Sequence, residues 1–167
     1  MDSPFAGNNR IFTGSGTDLT TVADNDRAFG GSGDDLFEAT DASDYRLSGG
    51  AGDDTFFLGV GGRALGGDGD DTFFVSEGGD NLLSGGAGAD AFWILTDDPA
   101  LLENKPNTIV DYRIGTDVIG IANQFADSVD DLTLSGSNIS LGGVLVAILN
   151  GVNAVDATFV FGNPFAG

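Results

Sequence analysis

The residues in this sequence that could do chemistry are its acids. Asp and Glu together number 26 against 6 Lys and Arg, a formal charge of −20, and neither His nor Cys occurs. Without His there is no HExxH zinc chemistry and no Ser–His or Cys–His nucleophile. Without Cys there is no disulfide and no thiol chemistry. Carboxylate and backbone carbonyl oxygens remain, and hard oxygen donors suit calcium. No pair of carboxylates can be singled out as a glycoside-hydrolysing acid and base, because the aspartates recur in one repeated pattern. The charge balance also argues against polyanionic partners, nucleic acid and anionic membrane surfaces among them.

The spacing of these acids is regular. Gly30-Gly31-Ser32-Gly33-Asp34-Asp35, Gly49-Gly50-Ala51-Gly52-Asp53-Asp54, Gly66-Gly67-Asp68-Gly69-Asp70-Asp71 and Gly85-Gly86-Ala87-Gly88-Ala89-Asp90 are copies of one motif. A worn copy from Thr13 to Asp18 keeps Gly14 and Gly16. The copies start at 13, 30, 49, 66 and 85, so the intervals alternate between 17 and 19 residues and the full unit is a 36-residue pair of coils. Repeats of this length stack as solenoids. Glycines at positions one, two and four let the turn take positive φ and bring its carbonyls inward, and position six adds a carboxylate. Asp34, Asp53 and Asp70, at position five, are expected to face solvent.

Stepping along the chain gives the elements that hold these turns. A short strand follows each turn, and its middle side chain points inward, so Thr20, Phe37, Phe56, Phe73 and Phe92 form one buried ladder and Ala28, Leu47, Ala64 and Leu83 face it. Phe57, Phe74 and Trp93 point the other way as an apolar stripe, covered by the C-terminal segment or by another copy of the chain. The turns opposite the motifs, Val22 to Asp26, Thr40 to Asp44, Leu58 to Gly62 and Ser76 to Asp80, lack the glycine spacing, so cations are expected along one edge only. After residue 93 the motif ceases. Short strands at Leu132 to Ser135, Asn138 to Leu141, Val144 to Leu149 and Ala157 to Phe161 are read as a cap over the open end. The chain is thus divided into a roll, 1–93, and a β-rich cap, 94–167. Met1 to Asn9 has neither the charge nor the apolar core of a secretory signal. The longest strongly apolar run, Val144 to Leu149, falls far short of the ~20 residues of a membrane helix. The two ends share a sequence, Pro4-Phe5-Ala6-Gly7 and Pro164-Phe165-Ala166-Gly167, which is compatible with chance, with duplication or with head-to-tail stacking.

The motif resembles the GGxGxDxUx nonapeptide of the repeats-in-toxin (RTX) family. That resemblance implies an all-β, right-handed parallel β-roll in which each Ca2+ lies between successive turns of one edge, held by glycine-turn carbonyls and by the position-six carboxylates Asp18, Asp35, Asp54, Asp71 and Asp90. Three to four ions follow, with the first site weakened because Thr13 replaces a glycine. The segment Asp111-Tyr112-Arg113-Ile114-Gly115-Thr116-Asp117-Val118-Ile119 resembles the element that follows the roll in serralysin-like and cyanobacterial members. Asp111 and Asp117 are read there in two ways, as ligands of a further ion or as parts of a turn held by Asx hydrogen bonds. The resemblance also implies a non-enzymatic module, secreted or at the cell surface, exported by type I secretion machinery through a C-terminal signal and folding on calcium once outside. The alternative is a calcium-rigidified adhesive or self-assembling surface protein, associating through Phe57, Phe74 and Trp93 or through the chain ends.

Overall fold

The computed structural model describes residues 7–76, 79–95, 105–122 and 126–165, so Pro4 to Ala6 and the final Ala166-Gly167 lie outside it. The first ten strands alternate between two sheets: β1 (Arg10–Ser15), β2 (Leu19–Thr21), β3 (Arg27–Ser32), β4 (Leu36–Ser43), β5 (Arg46–Ala51), β6 (Thr55–Val60), β7 (Arg63–Asp68), β8 (Thr72–Val75), β9 (Leu82–Ala87) and β10 (Ala91–Ile94). Six more follow, β11 (Asn107–Ile109), β12 (Val118–Ala122), β13 (Leu132–Ser135), β14 (Asn138–Leu141), β15 (Val144–Leu149) and β16 (Phe159–Gly162). One sheet has the order β1-β3-β5-β7-β9-β11-β15-β14-β13 and the other β16-β12-β10-β8-β6-β4-β2. Odd strands therefore stack on odd and even on even, one coil to every two strands, and the pairing is parallel throughout the repeat. This is a parallel β-solenoid. Both sheets run on past the last motif through β11, β12, β15 and β16, and the antiparallel strands β13 and β14 end the first sheet. No helix among the described residues is long and apolar enough to cross a membrane.

Alternation places the core. The Phe37, Phe56, Phe73 and Phe92 rings stack nearly parallel, with centroids 4.9, 4.8 and 4.9 Å apart, and each ring is at most 1% exposed. Ala28, Leu47, Ala64 and Leu83 close the other side. Small residues alternate with large ones in that second column, which lets two thin sheets pack over a continuous aromatic file. The motif turns keep a constant length, so the longer 19-residue coil from Gly30 to Gly49 accommodates its extra residues on the opposite edge, where β4 shifts register between Ala39 and Ser43.

That opposite edge is closed by hydrogen-bonded side chains. Buried Asp26 accepts from Ala23 N and from the backbone and side-chain nitrogens of Asn9. One coil along, the Tyr45 hydroxyl donates to Asn81 Oδ1 at 2.8 Å, which also accepts from Gly62 N at 2.9 Å. Asn81 Nδ2 donates to Gly59 O and to Asn107 Oδ1. The Tyr45 ring lies where a Cβ at residue 62 would sit, so Gly62 makes room for it. Burial raises the Tyr45 phenol well above its ordinary pKa and keeps it a donor.

The Asn81 side chain thus completes four polar groups at once. Asn81→Ala is expected to cost roughly 3 kcal/mol in urea denaturation of the calcium-saturated protein. A loss below about 1 kcal/mol would show that this edge is not held by the asparagine.

Candidate metal centre

Each motif turn carries the chain from an odd strand to the next even one. Conformational freedom is the expected reason for all three motif glycines, and it holds for two of them. Positions two and four take positive φ, as at Gly31 (117°) and Gly33 (107°), and likewise in the other copies at Gly14, Gly16, Gly50, Gly52, Gly67, Gly69, Gly86 and Gly88. Position one does not. Gly30, Gly49, Gly66 and Gly85 are required for a steric reason: an added Cβ would lie 1.9–2.1 Å from Oδ2 of the position-six aspartate in the same turn. The first glycine is therefore a space kept open beside a carboxylate.

Those carboxylates form a ladder along the edge. Oδ1 of each accepts the backbone N–H of its counterpart one coil earlier: Asp18 N to Asp35 at 2.9 Å, Asp35 N to Asp54 at 2.8 Å, Asp54 N to Asp71 at 2.9 Å and Asp71 N to Asp90 at 3.1 Å. One oxygen thereby fixes the stacking of the turns. The other, Oδ2, is buried without a hydrogen-bond donor in Asp18, Asp35, Asp54 and Asp71. Carbonyls lie close by, with Gly49 O 2.7 Å and Gly85 O 2.6 Å from where Cβ atoms on Gly30 and Gly66 would stand. An orphaned buried carboxylate oxygen is costly, and one whose neighbourhood offers a carbonyl acceptor instead of a donor calls for a cation. The donor set fits a hard divalent ion: all oxygen, part carboxylate and part carbonyl. Among the described residues no three acidic side chains converge as an all-side-chain site, so backbone oxygens have to supply much of the coordination.

Electrostatics agree with geometry. Burial, aided by the acids of adjoining turns, pushes the Asp54 carboxyl up to about 6 and that of Asp71 up to about 7. Asp90 is raised as well, chiefly by burial, with Asp117 adding and Arg113 opposing. The position-five acids are exposed, as expected, and each links to the following coil, through Asp53 N to Asp34 at 3.0 Å, Asp70 N to Asp53 at 2.8 Å and Ala89 N to Asp70 at 2.6 Å.

The ladder ends differently from how it runs. Asp90 N donates to Asp117 Oδ1 at 3.2 Å, so Asp117 takes the next position in the carboxylate column although no motif precedes it. Between the two stands Arg113, whose guanidinium lies 3.2 Å from Asp90 Oδ2 and 3.0 Å from Asp117 Oδ1 and also donates to Gly88 O. The protein's own cation thus holds two carboxylates and the carbonyl of the position-four glycine, Gly88. Asp117 Oδ2 accepts from Arg113 N at 2.7 Å, closing the local turn. Asp111 does not join this group: its oxygens accept from Ser84 Oγ, Gly85 N and Gly86 N. At the other end the Thr13 hydroxyl donates to Gly30 O at 2.8 Å, occupying a carbonyl oxygen at the first inter-turn step. Arg113 carries no role in the sequence reading. The signal that could have found it is a cation placed inside a D-x-x-x-x-x-D element in a chain with so few cations.

A parallel β-solenoid whose stacked glycine turns present orphaned carboxylate oxygens is a calcium-binding roll. The family model of the RTX calcium-binding nonapeptide repeat matches four stretches, residues 5–20, 20–45, 46–62 and 65–93, more than half of the chain. The chain belongs to that family of RTX repeat proteins. No curated protein matches it significantly.

In the ion-free roll the raised carboxyls retain protons that an unfolded chain gives up near pH 4. The roll then binds more protons than the coil, so this contribution to its stability is present at low pH and is lost as pH rises through about 6 to 7. With calcium chelated, melting followed by circular dichroism should therefore show more ordered β-structure near pH 5 than near pH 8. Structure that weakens steadily on acidification would contradict this.

Proposed function

We propose that calcium bridging the motif turns is what folds this chain, and that the module itself is not an enzyme. The single observation that carries the reading is the column of orphaned Oδ2 atoms on Asp18, Asp35, Asp54 and Asp71. Four inter-turn steps follow, Asp18 to Asp35, Asp35 to Asp54, Asp54 to Asp71 and Asp71 to Asp90, with the first weakened by Thr13. When bound, calcium supplies positive charge between carboxylates; the glycine turns hold the carbonyls inward and the Oδ1 ladder sets the coil spacing. Coils stacked about 4.8 Å apart bring like charges to where they repel by roughly 1 kcal/mol per neighbour in water, and by several times that in a protein-like dielectric. In a flexible chain, groups 18 residues apart stand roughly 20 Å from one another, beyond the ~8 Å screening length. The ion-free chain relieves the repulsion by opening, and binding free energy becomes folding free energy.

On this reading an acidic, open chain is suited to passage through type I secretion machinery, and calcium outside the cell orders it at or beyond the cell surface. Family membership supports export. Residues 94–167 serve as the cap, continuing both sheets and ending one of them with the β13–β14 hairpin. The second reading, an adhesive or self-assembling surface protein, draws on the stripe of Phe57, Phe74 and Trp93. Phe165 already stacks over part of it, with ring centroids 6.2 Å from Phe57 and 5.1 Å from Phe74, which favours coverage within the chain.

Far-UV circular dichroism after exhaustive chelation, followed by titration, tests the proposal. The β-signature should collapse on chelation and return cooperatively with calcium. Magnesium at equal concentration should restore much less, because it demands near-octahedral geometry and keeps its water. A β-structure that still melts cooperatively near pH 8 after chelation, where the column is ionised, would overturn the reading.

A further inference from the structure

The last step of the carboxylate ladder is built like the steps before it and differs in what fills it. Asp90 and Asp117 each stand one residue ahead of a paired position, Ala91 opposite Val118, so the two aspartates are in register. Asp90 N donates to Asp117 Oδ1, the same contact that joins each earlier aspartate to the next. The Oδ2 atoms of Asp18, Asp35, Asp54 and Asp71 are orphaned, whereas Asp90 Oδ2 has a partner, the Arg113 guanidinium.

The turn that delivers this guanidinium is a lengthened relative of the motif turn. Seven residues, Ser84 to Asp90, lie between the paired positions Leu83 and Ala91, and eight, Val110 to Asp117, lie between their partners Ile109 and Val118. Gly115 keeps a positive φ, 78°, two residues before the aspartate, as the position-four glycines do. The Gly-Gly pair is missing, and the turn closes on itself instead: Thr116 N and Asp117 N donate to Arg113 O at 3.2 and 2.9 Å, and Asp117 Oδ2 accepts Arg113 N. Arg113 is thereby fixed at its backbone, and its side chain reaches back to the preceding coil. Asp111 is engaged by Ser84 Oγ, Gly85 N and Gly86 N, which leaves the step to two carboxylates.

A guanidinium stays protonated throughout the pH range of the fold, and its planar fork of donors suits carboxylates. Here it donates to Asp90 Oδ2 at 3.2 Å, to Asp117 Oδ1 at 3.0 Å and to Gly88 O. A calcium ion would need those same oxygens at about 2.3–2.6 Å. The two cannot share them, because the ion would stand against the nitrogen that already bridges the carboxylates, and unit charges ~4 Å apart repel by about 1 kcal/mol even in water. Removing the guanidinium reverses this: two carboxylates and a carbonyl are left without a cation, and the 39% exposure of the Arg113 side chain gives an ion its way in.

We infer that the step between Asp90 and Asp117 is a fifth calcium site in its oxygen donors, and that Arg113 keeps calcium out by acting as its resident cation. Arg113 thus sets where the column of ions stops, and the last motif coil joins the proposed cap without one. The inference rests on the calcium reading above and deepens it. A salt bridge that merely held the turn would leave no site behind when removed.

The test compares the full wild-type chain with Arg113→Ser and Arg113→Lys in saturating calcium near pH 8, the roll verified by circular dichroism and bound calcium counted by equilibrium dialysis. Arg113→Ser should bind one ion more per chain than the wild type, and its folding should depend more steeply on calcium. Arg113→Lys keeps a cation and should bind the wild-type number. Adding Asp117→Asn to Arg113→Ser should return the count to that of the wild type. An Arg113→Ser roll with the wild-type count, an Arg113→Ser chain that forms no roll in saturating calcium, or an added ion in Arg113→Lys overturns the proposal and leaves the calcium reading intact. A wild-type roll that binds no calcium overturns that reading, and the proposal with it.

Discussion

Like charges in register are the constraint on which the rest of this structure depends. A solenoid with one motif per coil repeats whatever it carries at each position, about every 4.8 Å, so a single aspartate per motif becomes a column of carboxylates. That column is buried because the glycine turn folds over it, and buried carboxylates repel and resist ionisation, as the raised Asp54 and Asp71 show. The turn meets this in two ways. One oxygen of each carboxylate caps an amide of the coil before, and the other is left facing carbonyls, where only a cation completes it. Arg113 shows that demand being met at the end of the ladder by the chain itself.

The two edges of the roll answer the same geometric problem with different chemistry. Along the motif edge, glycines and aspartates leave a space and a charge. On the opposite edge, Asp26, Tyr45, Asn81 and Asn107 fill the space with side chains whose hydrogen bonds close among themselves and with the backbone. Among the described residues nothing on that edge is left orphaned in the manner of the aspartate Oδ2 atoms. On the proposed reading, calcium therefore acts on one side of a fold whose other side is satisfied among the described residues, and the aromatic file between them is common to both.

Much of this was legible in the sequence because a short period maps directly onto space. Gly-Gly-x-Gly-x-Asp at intervals of 17 and 19 residues places the turns, and alternation within each strand places Phe37, Phe56, Phe73 and Phe92 inside. Legibility failed where a residue's role depends on a neighbour brought in from another coil. Gly30 reads as a conformational glycine, yet its constraint is the Asp35 carboxylate. Asn81 lies in an unremarkable turn, and its partners are 19, 22, 26 and 36 residues away. Arg113 meets Asp90 across 23 residues and outside any motif.

The most direct test of the account is a crystal structure grown with ample calcium, with the ions located by anomalous scattering. The account predicts ions between successive turns, within about 2.3–2.6 Å of Oδ2 of Asp35, Asp54 and Asp71 and more weakly at Asp18, with the Arg113 guanidinium and no metal between Asp90 and Asp117. Inter-turn gaps that remain empty in an ordered roll would contradict it.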